Sequence, residues 1–149
     1  MELVKKVPLV HLELKRDQEL ESSREPLTEA DAAARWMKRF LGEADREYML
    51  VCCVDNQMRP VCVQVVGIGT GKYCIFEMAD LFKAALLSGA SGILLFHNHP
   101  SGDPSPSKED RERTERMREV SWKLEIPIWD HIILGRGNDY FSFAEEGLL

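Results

Sequence analysis

An apolar run, Ile93-Leu94-Leu95-Phe96, leads directly into His97-Asn98-His99-Pro100-Ser101-Gly102-Asp103-Pro104-Ser105-Pro106-Ser107-Lys108-Glu109-Asp110. A short continuous apolar run bounded by turn residues reads as a buried strand. The three prolines and the glycine that follow make a stiff, turned loop that cannot be helical. From Ser107 the polar, helix-favouring sequence predicts a helix to about Leu124. Within 14 residues, the chain must therefore leave a buried strand, turn rigidly and start a helix.

That window also concentrates metal-ligand chemistry. Side chains at i and i+2 on a strand point to one face, so His97 and His99 can present both imidazoles to one point. Asp110 falls in the first turn of the following helix. Two neutral imidazoles and one carboxylate make three protein ligands and leave a fourth tetrahedral position for water, the pattern of a catalytic rather than a structural zinc site. Each part has a plainer reading. A strand-end histidine is more often hydrogen-bonded than metallated, and Ser107-x-x-Asp110 also fits a helix capping box. Ser107 could donate to a developing oxyanion, cap the helix, or do both. A general base is needed to move the proton of the water. Glu47, at the start of an apolar strand, is the best placed, with a solvated strand-end acid as its plain alternative.

The flanking sequence predicts a mixed α/β domain. Val7 to Leu14 alternates as a strand would, and residues 16–27 read as a polar connector. A helix is expected from Thr28, capped by Thr28 with Asp31 three residues on, with Ala33, Trp36, Met37, Phe40 and Leu41 at helical spacing and Gly42 ending it. Glu47 to Val54 and Arg59 to Val66 read as a hairpin about Asp55-Asn56. Tyr73 to Phe76 reads as a short strand. Ala79 to Ser88 reads as a helix with Leu81, Phe82, Ala85 and Leu86 inward and Gly89 at its end. Ile128 to Leu134 reads as a strand, followed by a Gly-rich turn and a last strand near Tyr140 to Phe143. Hairpins and helices mix without a regular βα repeat, which implies a mixed sheet flanked by helices. The expected organisation is an N-terminal strand and connector over residues 1–27 and one domain over residues 28–149.

Composition excludes several classes. A chain of 149 residues fits one compact domain. Its net charge of −6 argues against non-specific nucleic-acid binding, which needs Lys and Arg against phosphates. Cys52, Cys53, Cys62 and Cys74 lie in apolar runs without a CxxC pair and read as buried thiols in a reducing compartment. The first residues are too short and polar for a signal peptide, and no run is long enough to span a membrane. A cytoplasmic protein is expected. His11 reads as structural. His131 reads as a strand histidine satisfied by hydrogen bonds, with a substrate contact or a supporting role behind the ligands as the alternative.

His97-x-His99, seven residues, Ser107-x-x-Asp110 matches the JAMM metalloprotease motif. The fuller string from His97 to Ser107, with Asp130-His131-Ile132-Ile133-Leu134-Gly135 and Tyr140-Phe141-Ser142-Phe143 downstream, resembles the bacterial RadC family over residues 28–149. The resemblance implies the cytidine deaminase-like sandwich of MPN domains. It implies zinc held by His97, His99 and Asp110, a catalytic glutamate at Glu47, and Ser107 stabilising the tetrahedral intermediate. It implies hydrolysis of a peptide or isopeptide bond in a protein or peptide substrate. Two departures stand out. Full-length RadC proteins carry a helix-hairpin-helix region that could touch DNA, and about 27 residues precede the first helix here, with no matching GxG. Met78-Ala79-Asp80 replaces a Pro-Arg-Glu group of many relatives.

The competing reading is a DNA-associated accessory protein in repair or mobile-element biology, its metal site structural or vestigial. A basic groove would favour it, and the acidic balance does not. A zinc nucleobase deaminase needs H-x-E at its metal-binding histidine and a distant P-C-x-x-C; no Glu sits two residues after His97 or His99, and the sequence has no CxxC. A nuclease would need more carboxylates around Mg²⁺.

Overall fold

The computed structural model describes residues 5–22, 25–70 and 74–149. Its centre is the pair of apolar runs that the sequence marks as strands. β1 (Tyr48–Val54) turns through Asp55 into β2 (Pro60–Ile68) as an antiparallel hairpin. Asp55 makes that turn itself, its Oδ1 accepting from the amides of Gln57 and Arg59 at 2.8 and 3.0 Å, as an aspartate at a turn does. β3 (Gly92–Asn98) lies antiparallel to the other side of β1, and β4 (Ile128–Leu134) lies parallel to β3. β5 (Tyr140–Ser142) closes the sheet antiparallel to β4, giving the order β2-β1-β3-β4-β5.

Among the described residues, three helices cover the two faces. α1 (Ala30–Leu41) packs Ala33, Ala34, Trp36 and Met37 on Leu50, Cys52, Leu94, Phe96 and Ile132. α2 (Asp80–Ser88) and α3 (Lys108–Leu124) cover the opposite face, where Leu81, Phe82, Ala85 and Met117 meet Met49, Val51, Ile93 and Leu95. β1 and β3 are buried on both faces, which is why they read as continuous apolar runs rather than alternating ones.

The parallel step from β3 to β4 needs a long crossover, and the Pro-rich loop and α3 supply it. The loop is fixed against the turn after β4. The His99 amide donates to Leu134 O and the Arg136 amide to Gly102 O, at 3.0 and 2.8 Å. Gly135 lies so close that a Cβ there would stand 2.6 Å from Gly102 O, and Gly102 itself has φ +89°. Both positions therefore require glycine.

Several sequence expectations change. Val7 to Leu14 forms no strand. Among the described residues it pairs with no strand, and it is exposed throughout, His11 included. α1 starts at Ala30 with Glu29 at its N-cap and no side-chain cap, so Thr28 does not cap it. Phe40 is at the edge of exposure and Leu86 is 60% exposed, with Ala84 turned inward in its place. Cys74 to Phe76 pairs with no strand, and Tyr73 lies outside the described residues.

Cys52, Cys53 and Cys74 are buried and Cys62 is half-buried; all four are free thiols. Cys62 lies directly across from Cys53 in the hairpin. A hydrogen bond from Cys53 lowers the Cys62 thiol to about 7, while burial pushes Cys52 up to about 12 and Cys74 up to about 11. Thiolate is the reactive form. Cys62 is therefore expected to take up iodoacetamide first, at a rate that rises through about pH 7. Peptide mapping of briefly alkylated protein checks this, and labelling of Cys52 or Cys74 ahead of Cys62 would contradict it.

Candidate metal centre

The antiparallel pairing of β1 with β3 sets the end of β3 beside the start of β1, with Met49 opposite His97. Loops at the carboxyl end of a strand beside a parallel crossover are a common place for ligands. Four acid and imidazole groups meet there: Glu47 just before β1, His97 in β3, His99 just after it, and Asp110 in the first turn of α3. One donor atom from each lies within 4.8 Å of every other.

Alternation along β3 places His97 on the α2/α3 face, and the chain leaves the strand so that His99 returns to the same point. His97 Nε2 and His99 Nε2 are 3.1 Å apart. Asp110 Oδ1 is 3.3 Å from His97 Nε2, and Asp110 Oδ2 is 3.2 Å from His99 Nε2. Zinc bonds of about 2.0–2.1 Å in a tetrahedron imply ligand–ligand edges of about 3.3–3.4 Å. The three separations suit such an ion, and the donor set, two imidazoles and one carboxylate, suits zinc chemically. Glu47 Oε1 stands farther off, 4.0 Å from His97 Nε2.

The surroundings set the charges. Burial pushes the Glu47 carboxyl up, and the nearby His97 and His99 only partly offset it. Burial also works against the charge of Asp110, but hydrogen bonds with His97 and His99 and the Ser107 amide outweigh it and hold Asp110 well below the usual carboxylate range. Ser107 is the N-cap of α3, and its hydroxyl accepts from the Asp110 amide at 3.1 Å. In return its own amide donates to Asp110 Oδ2 at 2.8 Å. The capping box is thus present, and it positions the carboxylate. Because the Ser107 oxygen accepts there, its O–H proton is left for another acceptor. A narrow cleft beside these groups is lined by Glu47, Met49, Cys74, Phe76, Arg113 and Met117. Met78-Ala79-Asp80 opens α2 and is not among the residues lining that cleft.

Three neighbours carry this arrangement without standing out in the sequence. Asn98 lies between the two histidines and so points to the opposite face. Its Oδ1 accepts from the Tyr48 amide at 2.8 Å and its Nδ2 donates to Arg46 O at 3.0 Å, gripping the backbone on either side of Glu47. Arg113 ties α3 to the cleft wall through Cys74 O at 3.1 Å and lies 5.1 Å from the centre of the Phe76 ring. Thr114, one turn after Asp110, meets His131, which is 1% exposed and within 2.7 Å of His97 Nδ1. The i+2 alternation of β3 was the available signal for Asn98, and the i+4 spacing from Asp110 was the signal for Thr114.

The RadC-like JAB domain model matches residues 27–148. A UPF0758 protein of Thermotoga maritima is 41% identical over 105 residues, covering 70% of this chain and 47% of that protein. A UPF0758 protein of Histophilus somni is 38% identical over 130 residues, covering 87% of this chain and 58% of that protein. The chain thus spans about half the length of these relatives. The UPF0758 protein YeeS of Escherichia coli K12 is 37% identical over 122 residues, 82% of either chain. Among the described residues no helix is long and apolar enough to cross a membrane. With a five-stranded mixed sheet, three helices and a family model matched over nearly all of that fold, the chain belongs to the RadC-like JAB domain family.

Proposed function

We propose that this domain is a zinc-dependent hydrolase of the JAMM type that cleaves a peptide or isopeptide bond in a protein or peptide substrate. The observation that carries the reading is the set of three donor groups at tetrahedral spacing with the Glu47 carboxylate beside them. His97, His99 and Asp110 would hold the ion. Zinc bound there supplies a Lewis acid and brings the pKa of a coordinated water to about 7. Glu47, whose affinity for a proton is raised by burial, takes the proton of the attacking water and returns it to the leaving amine. Ser107 donates its free O–H to the carbonyl oxygen as negative charge gathers on it. The narrow cleft, with Met49, Cys74, Phe76 and Met117 among its walls, limits bulk water around these groups.

Elemental analysis of the purified protein tests the first step. About one zinc per chain in the wild type, lost in His97→Ala and Asp110→Ala, is the expected result. A library of peptides, isopeptides and protein conjugates tests the second. A wild type that takes up no zinc on incubation with the metal, or one that is loaded and cleaves nothing, would sink the hydrolase reading and leave a domain that acts by association.

A further inference from the structure

The hydrogen bonds behind His97 form a chain with one allowed direction. Thr114 Oγ1 lies 2.7 Å from Asp110 O and 2.7 Å from His131 Nδ1. A carbonyl oxygen can only accept, so the single Thr114 proton goes to Asp110 O. Thr114 must then accept from His131, which places a proton on His131 Nδ1. His131 is fully buried, stacked on Phe143 with ring centres 4.8 Å apart and planes 7° from parallel. Burying an unpaired imidazolium is costly, so the ring is neutral and its Nε2 carries a lone pair. That nitrogen is 2.7 Å from His97 Nδ1, which must donate to it. His97 is thereby fixed with a proton on Nδ1, which leaves Nε2, facing His99 and Asp110, as the nitrogen that can bind a metal. His99 reaches the same state by a simpler route, through Nδ1 to Asp103 O at 2.8 Å.

We propose that Thr114 and His131 are positioning residues that select the Nδ1–H tautomer of His97, so that its Nε2 is a ready metal ligand. The chain starts at one ligand side chain and ends on the backbone of another, since Asp110 O is its last acceptor. It therefore fixes His97 and Asp110 relative to each other as well as setting the tautomer. Asp130 holds the assembly from behind, with Oδ1 accepting from the His131 and Ala144 amides at 2.7 and 3.0 Å and Oδ2 from Ser142 Oγ at 2.6 Å. This accounts for the Asp130-His131 and Ser142-Phe143 segments, for which the hydrolase reading has no other use. The inference rests on that reading for the identity of the metal, but the tautomer of His97 does not.

Two measurements separate the ideas. Long-range ¹H–¹⁵N correlation spectra of the metal-free protein report which nitrogen of His97 carries the proton. The wild type should show Nδ1–H. His131→Phe should move His97 toward the Nε2–H form, while His131→Gln should restore Nδ1–H, because its amide can accept from His97 and donate to Thr114. Zinc affinity, read by competition with a chromogenic chelator, should fall about 10–100-fold in His131→Phe, the range typical of such outer contacts. It should fall in the same direction in Thr114→Val and recover in His131→Gln and Thr114→Ser. An Nε2–H wild type, or a folded His131→Phe and Thr114→Val that both bind zinc as tightly as wild type, would overturn the proposal. A wild type that shows Nδ1–H, loses it in His131→Phe and binds no zinc would support the hydrogen-bond chain and refute the metal reading.

Discussion

Glu47→Gln is expected to keep one zinc per chain and to slow hydrolysis by about 10²–10⁴-fold, the usual contribution of a general base. The amide preserves the shape of the side chain but cannot take a proton. Because Glu47 stands outside the tight cluster of three donors, its loss should spare metal binding, whereas His97→Ala should abolish it. Zinc content and rates on any substrate found in the library distinguish the two. A variant that keeps more than a tenth of the wild-type rate would remove Glu47 from its role. The same change should affect stability with the opposite sign. Burial raises the folded-state affinity of Glu47 for a proton, so the charged form opposes folding. The neutral form is present below the ordinary value of 4.5, and stability is lost as pH rises through the elevated folded value. The metal-free Glu47→Gln protein should therefore melt higher than metal-free wild type at pH 7, and the two should converge as pH falls toward 4.5. Such an exchange of stability for activity is common at active sites.

Asn98→Ala is expected to give the next largest effect. It removes both hydrogen bonds that hold the backbone around Glu47 and leaves Tyr48 N and Arg46 O to find other partners, at a cost of about 1–3 kcal/mol. The histidines on either side point the other way and keep their places, His97 in β3 and His99 just after it. Activity should fall by about 10²-fold, as expected when a catalytic group shifts by about 1 Å, while zinc affinity stays within a few-fold of wild type. Parallel loss of both properties would mean that Asn98 supports the strand as a whole rather than the placement of Glu47.

The sequence made the ligand window legible because its signals are local. Apolar run, prolines, glycine and capping serine each act within a few residues, and β3, the loop and α3 follow them closely. The hairpin was equally readable from Asp55 and the two apolar runs. Elsewhere the deciding interactions were distant. Val7 to Leu14 alternates like a strand, but alternation forms a strand only where a partner edge exists. Leu86 falls on the inward spacing of α2, yet Ala84 takes that side and leaves it exposed. Thr28 is a good capping residue one position too early for the helix that packing selects. The role of His131 could not be read from its strand, because its meaning depends on Thr114 from a helix and His97 from the neighbouring strand.

The separation along the chain has a consequence for how this domain fails. The three donors for the ion come from one stretch of 14 residues, whereas Glu47 is 50 residues upstream and reaches them only through the β1–β3 seam. Closing the short loop costs little chain entropy, and closing the long one costs more. Partial opening that loosens this seam would carry the base away while the strand–loop–helix unit still gathers the ligands. On the proposed reading, hydrolysis would thus depend on the whole cooperative fold, whereas the three donors are gathered by a shorter stretch of it, backed by His131.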